Sequence, residues 1–302
     1  MNTKVNIAGV EFKNPIITAS GTFGFGREYN SFYDVGQLGG ICSKGLTLEP
    51  RQGNDPVRIA ETPSGILNSV GLQNPGVEAF LRDELPFMKS LGTVVIANAA
   101  GACKEDYVRI VEILSNSSVD MIELNISCPN VKCGGMAFGV LPDGVYEITQ
   151  AVRRVCKKPL IVKLTPNVAN IADNARAAER GGADAISLIN TVAGMAVDFK
   201  TRKPVLKAGH GGLSGPCVKP IALRMVRECY NAVNIPIIGM GGIMTGTDAG
   251  EFMLCGATAV QVGTANIFDP YAALRIVNEL TNIVESDKIV DVNTLIGGLR
   301  VE

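Results

Sequence analysis

The residues best suited to chemistry lie in one short segment, Asn125-Ile126-Ser127-Cys128-Pro129-Asn130. This segment ends an apolar run, residues 121–124, which has the character of a buried strand and which Pro129 stops abruptly. The asparagine amides can bind a planar polar ligand, because each amide both donates and accepts hydrogen bonds. The sulfur of Cys128 would then face that ligand. The alternative is that Cys128 is a small buried hydrophobic residue, which is the usual fate of a free cysteine.

Short apolar runs are predicted to form the strands that position these residues. Their apolar character is continuous rather than alternating, which is typical of parallel strands buried on both faces. Helical patterns separate the runs; residues 170–180 are rich in helix formers and stop at Gly181-Gly182, and residues 219–233 and 247–254 are similar. The predicted strands are residues 16–19, 40–43, 94–98, 121–126, 160–164, 185–189, 236–239 and 259–262.

This alternation of strands and helices in a chain of 302 residues predicts an α/β fold, a (β/α)8 TIM barrel forming a single domain over residues 1–302. Residues 5–13, around Ala8-Gly9, are expected to form an N-terminal β-hairpin. Long loop insertions are expected at residues 45–93, 127–158 and 190–235, which begin where predicted strands end. A doubly wound open sheet is the competing fold.

Polar residues and glycines follow the carboxyl ends of these strands, the face where barrel enzymes place their active sites. Gly241-Gly242 and Gly263-Thr264 end the last two strands, where backbone N–H groups can approach a phosphate. Lys163 lies inside an apolar run, so it is either part of a structural ion pair, a lysine reaching out along its aliphatic stem, or a cation aimed at an electron-rich cofactor. The other strand-end residues are Ser20, Gly21, Lys44, Asn98, Asn125, Ser127, Thr165, Asn190 and Thr191.

Composition excludes several classes of partner. A net charge of −1 without a basic block does not favour nucleic acid or an anionic membrane. No apolar run reaches the ~18 residues of a transmembrane helix, and the first residues lack a signal-peptide pattern. The 8 cysteines are scattered through a core-forming chain, which favours reduced thiols in the cytoplasm. With His210 as the single histidine, we expect no metal site.

Several motifs together resemble class 1 dihydroorotate dehydrogenases, and within that class the catalytic, FMN-binding subunit of the NAD-linked type 1B enzyme. The resemblance covers essentially the whole chain. Class 2 members have serine at the position of Cys128, which argues against that class. The motifs are Asn14-Pro15 with Ala19-Ser20-Gly21, Lys44 with Thr47-Leu48-Glu49-Pro50-Arg51, Leu67-Asn68-Ser69-Val70-Gly71-Leu72-Gln73-Asn74, Asn125 to Asn130, Lys163-Leu164-Thr165-Pro166-Asn167, Gly211-Gly212-Leu213-Ser214-Gly215 and Gly239-Met240-Gly241-Gly242-Ile243.

The resemblance implies one FMN per chain across the barrel mouth, with Lys163 near the N1/O2 edge of the flavin ring and Cys128 as the catalytic base. The implied FMN contacts are Ser20, Gly21, Lys44, Gly45, Asn98, Asn125, Lys163, Ile189, Gly215, Gly241, Gly242, Gly263 and Thr264. The implied dihydroorotate contacts are Lys44, Asn68, Ser69, Val70, Gly71, Leu72, Asn125, Asn130, Asn190 and Thr191.

The implied reaction is the oxidation of (S)-dihydroorotate to orotate in de novo pyrimidine (UMP) biosynthesis. A hydride would leave C6 for flavin N5, and Cys128 would remove a proton from C5. Residues 132–139 are rich in glycine and suggest a lid that excludes water, with a static surface loop as the alternative.

The sequence has neither a GxGxxG signature nor a cysteine cluster with iron–sulfur spacing. NAD use would therefore need a partner. The resemblance implies that this partner is an electron-transfer subunit carrying FAD and a [2Fe-2S] cluster. The resemblance implies a heterotetramer of two catalytic and two electron-transfer chains.

Two residues depart from the family pattern, and three other functions remain as alternatives to the type 1B enzyme. Gly45 replaces a small hydroxyl residue or alanine beside the flavin, and Cys133 is an additional thiol in the predicted lid. The alternatives are the fumarate-linked type 1A enzyme, a related flavoenzyme acting on dihydropyrimidines, and a flavin-binding regulator without turnover. The regulator would leave Lys44 and Cys128 without a shared purpose.

Overall fold

The computed structural model describes residues 1–127 and 138–300, and parallel strands form the centre of its architecture. The strands are β1 (Val5–Ile7), β2 (Val10–Phe12), β3 (Ile16–Thr18), β4 (Gly40–Cys42), β5 (Ile59–Thr62), β6 (Gly65–Asn68), β7 (Val94–Ala99), β8 (Met121–Asn125), β9 (Leu160–Lys163), β10 (Ala185–Leu188), β11 (Val192–Gly194), β12 (Val197–Asp198), β13 (Lys203–Pro204), β14 (Gly211–Ser214), β15 (Ile237–Met240) and β16 (Ala259–Val262).

Strands β3, β4, β7, β8, β9, β10, β15 and β16 form a closed barrel in that order. The barrel closes where β16 pairs in parallel with β3, with Val260 opposite Ile16 and Val262 opposite Thr18. Nearly every residue of these strands is buried, as their continuous apolar character predicts. The predicted (β/α)8 barrel is confirmed, and the open doubly wound sheet is wrong.

Helices alternate with the barrel strands. The predicted helix near residue 170 begins with Asn170 as its cap, since Asn170 Oδ1 accepts a hydrogen bond from Ala172 N at 3.0 Å, and it ends before Gly181. The helices are α1 (Arg27–Asn30), α2 (Val77–Ala79), α3 (Leu85–Ser90), α4 (Lys104–Ser115), α5 (Pro142–Arg153), α6 (Ile171–Arg180), α7 (Lys219–Tyr230), α8 (Gly246–Leu254), α9 (Ala265–Phe268) and α10 (Ala272–Ser286). Within the described ranges, no helix is long and apolar enough to cross a membrane.

The predicted N-terminal hairpin is present. Strands β1 and β2 pair antiparallel around Ala8-Gly9 and bury Val5, Ile7 and Phe12. The Phe12 ring packs against the first residue of β4, since a Cβ on Gly40 would lie 3.0 Å from it. The hairpin therefore covers the amino-terminal end of the barrel, opposite the face where the strands end.

Strands within the loop insertions form a second sheet, which the sequence did not predict. Strands β11, β14, β6 and β5 pair antiparallel in that order, so the insertion after β4 is joined to the insertion after β10. Residue Asn68 of β6 lies opposite Gly212 of β14. Strands β12 and β13 form a separate hairpin. The small sheet lets two insertions distant in sequence act as one structure over the barrel mouth.

Helix α8 fixes the loop that follows β15. Thr245 and Asp248 form a capping box, and Asp248 Oδ2 accepts hydrogen bonds from Met244 N at 2.8 Å and Thr245 N at 2.9 Å. Lys219 Nζ lies 2.5 Å from Asp248 Oδ1. Burial raises the pKa of Asp248, but Lys219 and these N–H donors outweigh it, so the pKa lies below its usual value.

We expect Asp248→Asn to lower the free energy of unfolding by about 1 kcal/mol near neutral pH, because neutral hydrogen bonds replace charge-assisted ones. The folded-state pKa of Asp248 is depressed, so its carboxylate stabilises the fold above the unfolded pKa and ceases to do so once it is protonated. The loss should therefore shrink below about pH 4. Urea unfolding across this pH range measures it, with the exposed Glu147→Gln of α5 as control. A loss that did not change with pH would show that the charge of Asp248 plays no part.

Candidate active site

A buried ion pair lies inside the barrel just below the ends of its strands. Lys163 Nζ, from the last residue of β9, lies 3.7 Å from Glu123 Oε1 of β8, and both side chains are almost fully buried. The Lys163 ammonium also donates to Ser20 Oγ, which follows β3, at 3.4 Å. Lys163 is therefore part of an ion pair, one of the alternatives from sequence, and at the same time a cation held at the barrel mouth.

Asn98 of β7 is fully buried beside this pair. Its Nδ2 donates to Glu123 Oε1 at 2.6 Å, whereas its Oδ1 has no hydrogen-bond partner among residues 1–127 and 138–300. A Cβ on Gly45 would lie 3.0 Å from that oxygen and 3.2 Å from Leu72 Cδ2. The glycine at position 45 thus leaves space between the free amide oxygen and Leu72.

Lys44 is a second lysine at the mouth, and it is half-buried. Burial lowers its pKa, and the positive charge of Arg58 lowers it further. In the described parts of the chain, the Lys44 ammonium makes no hydrogen bond or ion pair, while its backbone N–H donates to Gly24 O at 2.9 Å. Its backbone is fixed and its charge is available to a ligand.

The structure brings the asparagines at the ends of β8 and β10 together. Asn190 Nδ2 donates to Asn125 Oδ1 at 3.4 Å, and Asn190 Oδ1 accepts from Thr191 N at 2.8 Å. Ser127 Oγ donates to Lys163 O at 3.2 Å, which ties the start of the loop after β8 to β9. These hydrogen bonds gather amide groups beside the ion pair.

The small antiparallel sheet positions the residues at the end of β6 and in the loop that follows it. Asn68 Nδ2 donates to Gly212 O at 3.3 Å, and Thr191 packs on the same glycine. The loop of residues 69–72 is held by Asn54, whose Nδ2 donates to Ser69 O at 2.8 Å and whose N–H donates to Val70 O at 3.0 Å. Gly212 therefore links Asn68 to Thr191, and Asn190 links Thr191 to Asn125. That these residues bind one substrate stays a prediction.

A cluster of glycines lies at the ends of β14, β15 and β16. Gly215 and Gly242 have φ of +107° and +80°, and a Cβ on Gly242 would lie 2.9 Å from Gly215 O. Gly241 packs against Ile189, and Thr264 Oγ1 donates to Ser214 Oγ at 2.8 Å beside Gly263. The positive φ of Gly215, Gly241 and Gly242 favours glycine at these three positions. Turns of this kind can present backbone N–H groups to an anion.

The remaining predicted residues lie outside the described ranges. They are Cys128 and Asn130 of the site, together with Cys133 and most of the predicted lid. Across the described residues no group of three His, Cys, Asp or Glu side chains could hold a metal ion. The absence of a metal stays a prediction.

Sequence reasoning missed the side chains beneath the mouth. Glu123 Oε2 accepts a hydrogen bond from Gln261 Nε2 of β16 at 2.7 Å, and Cys42 Sγ of β4 donates to Glu123 Oε1 at 3.4 Å. The available signal was a carboxylate inside the apolar run of residues 121–124, where an unpaired charge would be costly. Its partners come from strands that are distant in sequence.

Comparison with known proteins decides the family. The family model described as dihydroorotate dehydrogenase matches residues 2–284. The chain belongs to the dihydroorotate dehydrogenase family.

Curated relatives carry a more specific name, dihydroorotate dehydrogenase B (NAD(+)), catalytic subunit. The protein of that name from Caldicellulosiruptor saccharolyticus is 56% identical over 301 residues, covering 100% of both chains. Those from Alkaliphilus metalliredigens and Thermoanaerobacter pseudethanolicus are 55% and 53% identical, covering 99% and 100% of both chains respectively. The family predicted from the motifs is confirmed, including the type B resemblance.

In this member of the dihydroorotate dehydrogenase family, Gly212 makes the space that Thr191 occupies, since a Cβ at position 212 would overlap Thr191 Oγ1. Its φ lies outside the left-handed region, so alanine would be opposed by contact rather than by backbone strain. We expect Gly212→Ala to cost about 1–3 kcal/mol of stability through overpacking, measured by urea denaturation.

The compensating variant is Thr191→Gly, which removes the contacting atoms. In the Gly212→Ala background it should recover most of the loss, because the two changes share one contact and are not additive. Additive losses in the double variant would mean that Gly212 is needed for another reason.

Proposed function

We propose that the chain oxidises (S)-dihydroorotate to orotate in pyrimidine biosynthesis, with one FMN bound at the barrel mouth. The full-length similarity to type B catalytic subunits supports this reaction. One observation carries the proposal. The buried ammonium of Lys163 and the buried amide of Asn98 both contact Glu123, and the amide oxygen, Asn98 Oδ1, has no partner in the described residues. An electron-accepting ring with its own N–H groups satisfies both.

The residues at the mouth fit FMN in two respects. Asn98 Oδ1 can accept from a ring N–H, and the glycine cluster can receive a phosphate on its backbone N–H groups. Lys163 would supply positive charge beside the ring. The residues that would hold FMN are Ser20, Gly21, Lys44, Gly45, Asn98, Asn125, Lys163, Ile189, Gly215, Gly241, Gly242, Gly263 and Thr264.

The amides gathered beside the ion pair suit a pyrimidine. Asn125 and Asn190 can each donate to a ring carbonyl and accept from a ring N–H, and Lys44 is the available cation for the substrate carboxylate. The proposed substrate contacts are Lys44, Asn68, Ser69, Val70, Gly71, Leu72, Asn125, Asn130, Asn190 and Thr191.

Cys128 is proposed to remove the proton from C5 of dihydroorotate as the general base. When bound, FMN supplies the acceptor for the hydride that leaves C6. Lys163 holds a fixed positive charge where electrons arrive, and the amides of Asn125 and Asn190 orient the substrate ring between base and cofactor.

Electrons are proposed to leave through a partner. The relatives are named catalytic subunits, which indicates a separate chain for electron transfer to NAD. We propose that this partner carries FAD and a [2Fe-2S] cluster, in a heterotetramer of two catalytic and two electron-transfer chains. We propose the cytoplasm as the cellular location, because the free thiols of Cys42, Cys156 and Cys229 suit a reducing compartment.

We expect Cys128→Ala to retain its flavin and to slow the bleaching of the flavin band by dihydroorotate by about three orders of magnitude, because the base is lost. Cys128→Ser should recover rate only at high pH, since an alcohol is a far weaker acid than a thiol. Stopped-flow absorbance measures both rates.

The matched control is Cys133→Ala, which removes a thiol close to Cys128 in sequence that the proposed chemistry does not use. Bleaching at the rate of the unaltered chain in Cys128→Ala would exclude Cys128 as the base. A wild-type chain that binds FMN but shows no bleaching would overturn the proposed function itself.

The purified chain alone should reduce an artificial dye with dihydroorotate but barely reduce NAD, because its sequence has no signature for a dinucleotide or an iron–sulfur cluster. Adding the electron-transfer subunit should restore NAD reduction, followed by absorbance of the reduced nucleotide. Brisk NAD reduction by the single chain would contradict the partner requirement, and brisk fumarate reduction would favour type 1A.

A further inference from the structure

Glu123 is a charged side chain in the interior of the barrel. It is fully buried, and its Cα lies opposite Asn98 of β7 on one side and Ile161 of β9 on the other. Asn125 and Lys163 are paired one inward-facing layer nearer the mouth. Glu123 therefore lies directly beneath the proposed flavin site without being part of its surface.

The carboxylate joins the mouth to the opposite wall of the barrel. Its Oε1 accepts from Asn98 Nδ2 at 2.6 Å and lies 3.7 Å from Lys163 Nζ. Its Oε2 accepts from Gln261 Nε2 at 2.7 Å. One oxygen thus contacts both mouth-facing side chains, while the other is anchored on β16.

Glu123 also decides which end of the Asn98 amide faces the mouth. Since Nδ2 is committed to the carboxylate, Oδ1 is left facing the space beside Gly45. A neutral acceptor at position 123 could hold the same amide, but it would not offset the positive charge of Lys163.

The groups around the Glu123 carboxylate favour its ionised form. Burial raises the pKa of Glu123, but the charge of Lys163 and hydrogen bonds that include those from Gln261 and Asn98 outweigh burial, so the pKa lies below its usual value. Glu123 and Lys163 together are then neutral, in an interior where charges are weakly screened.

We propose that Glu123 is a positioning residue that fixes Lys163 and Asn98 beneath the flavin and, by offsetting the charge of Lys163, holds down the reduction potential of the bound flavin. This inference rests on the proposed flavin site. A purely structural role would require only the hydrogen bonds, whereas this role requires the negative charge.

The test is Glu123→Gln in the full FMN-bound chain, with the flavin midpoint potential measured by spectroscopic redox titration. Removing the negative charge leaves Lys163 unopposed, so the equilibrium should shift at least tenfold towards reduced flavin, which is about 30 mV for a two-electron couple. Lys163→Gln should shift it in the opposite direction. The double variant should return towards the wild-type potential, because neutrality is restored.

The glutamine variant can keep its hydrogen bonds. Gln261 Oε1 has no partner in the described residues, so rotation of that amide would let it accept from the new Gln side chain. Should the variant fail to fold, Glu123→Asp retains the charge but withdraws it from Lys163 by one methylene, and a smaller rise in potential is expected. Glu147→Gln on α5, exposed and remote, is the matched control.

An unchanged or lowered potential in Glu123→Gln with flavin bound would overturn the inference and leave Glu123 a structural residue. An unchanged potential in Glu123→Asp would overturn it equally if only that variant folds. Failure of the proposed function has a different signature, because the wild-type chain itself would then bind no FMN or show no bleaching with dihydroorotate.

Discussion

The closure of the parallel barrel is the constraint on which the candidate site depends. Once β16 pairs with β3, every strand ends on the same face, and residues distant in sequence become neighbours. Register then sets their depth. Asn125 lies opposite Lys163, and Asn98 lies opposite Glu123 one layer below. Because the strands are buried on both faces, a slip of register would move charged side chains into apolar surroundings. The charged side chains and the apolar runs therefore favour the same register.

The small antiparallel sheet solves a different problem, the placement of loops. The loop of residues 69–72, which is proposed to contact the substrate, follows β6, whereas Asn190 and Thr191 follow β10. Pairing of β6 with β14 fixes one against the other, and Gly212 provides the contact surface for both Asn68 and Thr191. The mouth is therefore built from two layers, a rigid barrel that sets charge and a sheet that sets the shape of the opening.

The sequence predicted the barrel well because its signals are local. Each apolar run is continuous, and ends such as Gly181 and caps such as Asn170 are readable without tertiary information. The small sheet was missed because its central pairing joins β6 to β14 across a long sequence separation, and because β5, β11 and β14 have no buried residues that would mark them as strands. The roles of the strand-end residues were predicted from family resemblance. The role of Glu123 was not predicted, because its partners Asn98, Lys163 and Gln261 come from three other strands.

The buried Glu123–Lys163 pair is not explained by stability. Two charges removed from water are costly, and a well-packed apolar pair in the same volume is often neutral or more stable. The cost is limited here because amides from Asn98 and Gln261 hold the carboxylate. An apolar pair cannot provide a fixed electric field at the barrel mouth. The charges that produce this field are held by strands rather than by loops and are buried away from solvent. The field is therefore part of the fold itself, and the loops above it are free to determine what binds.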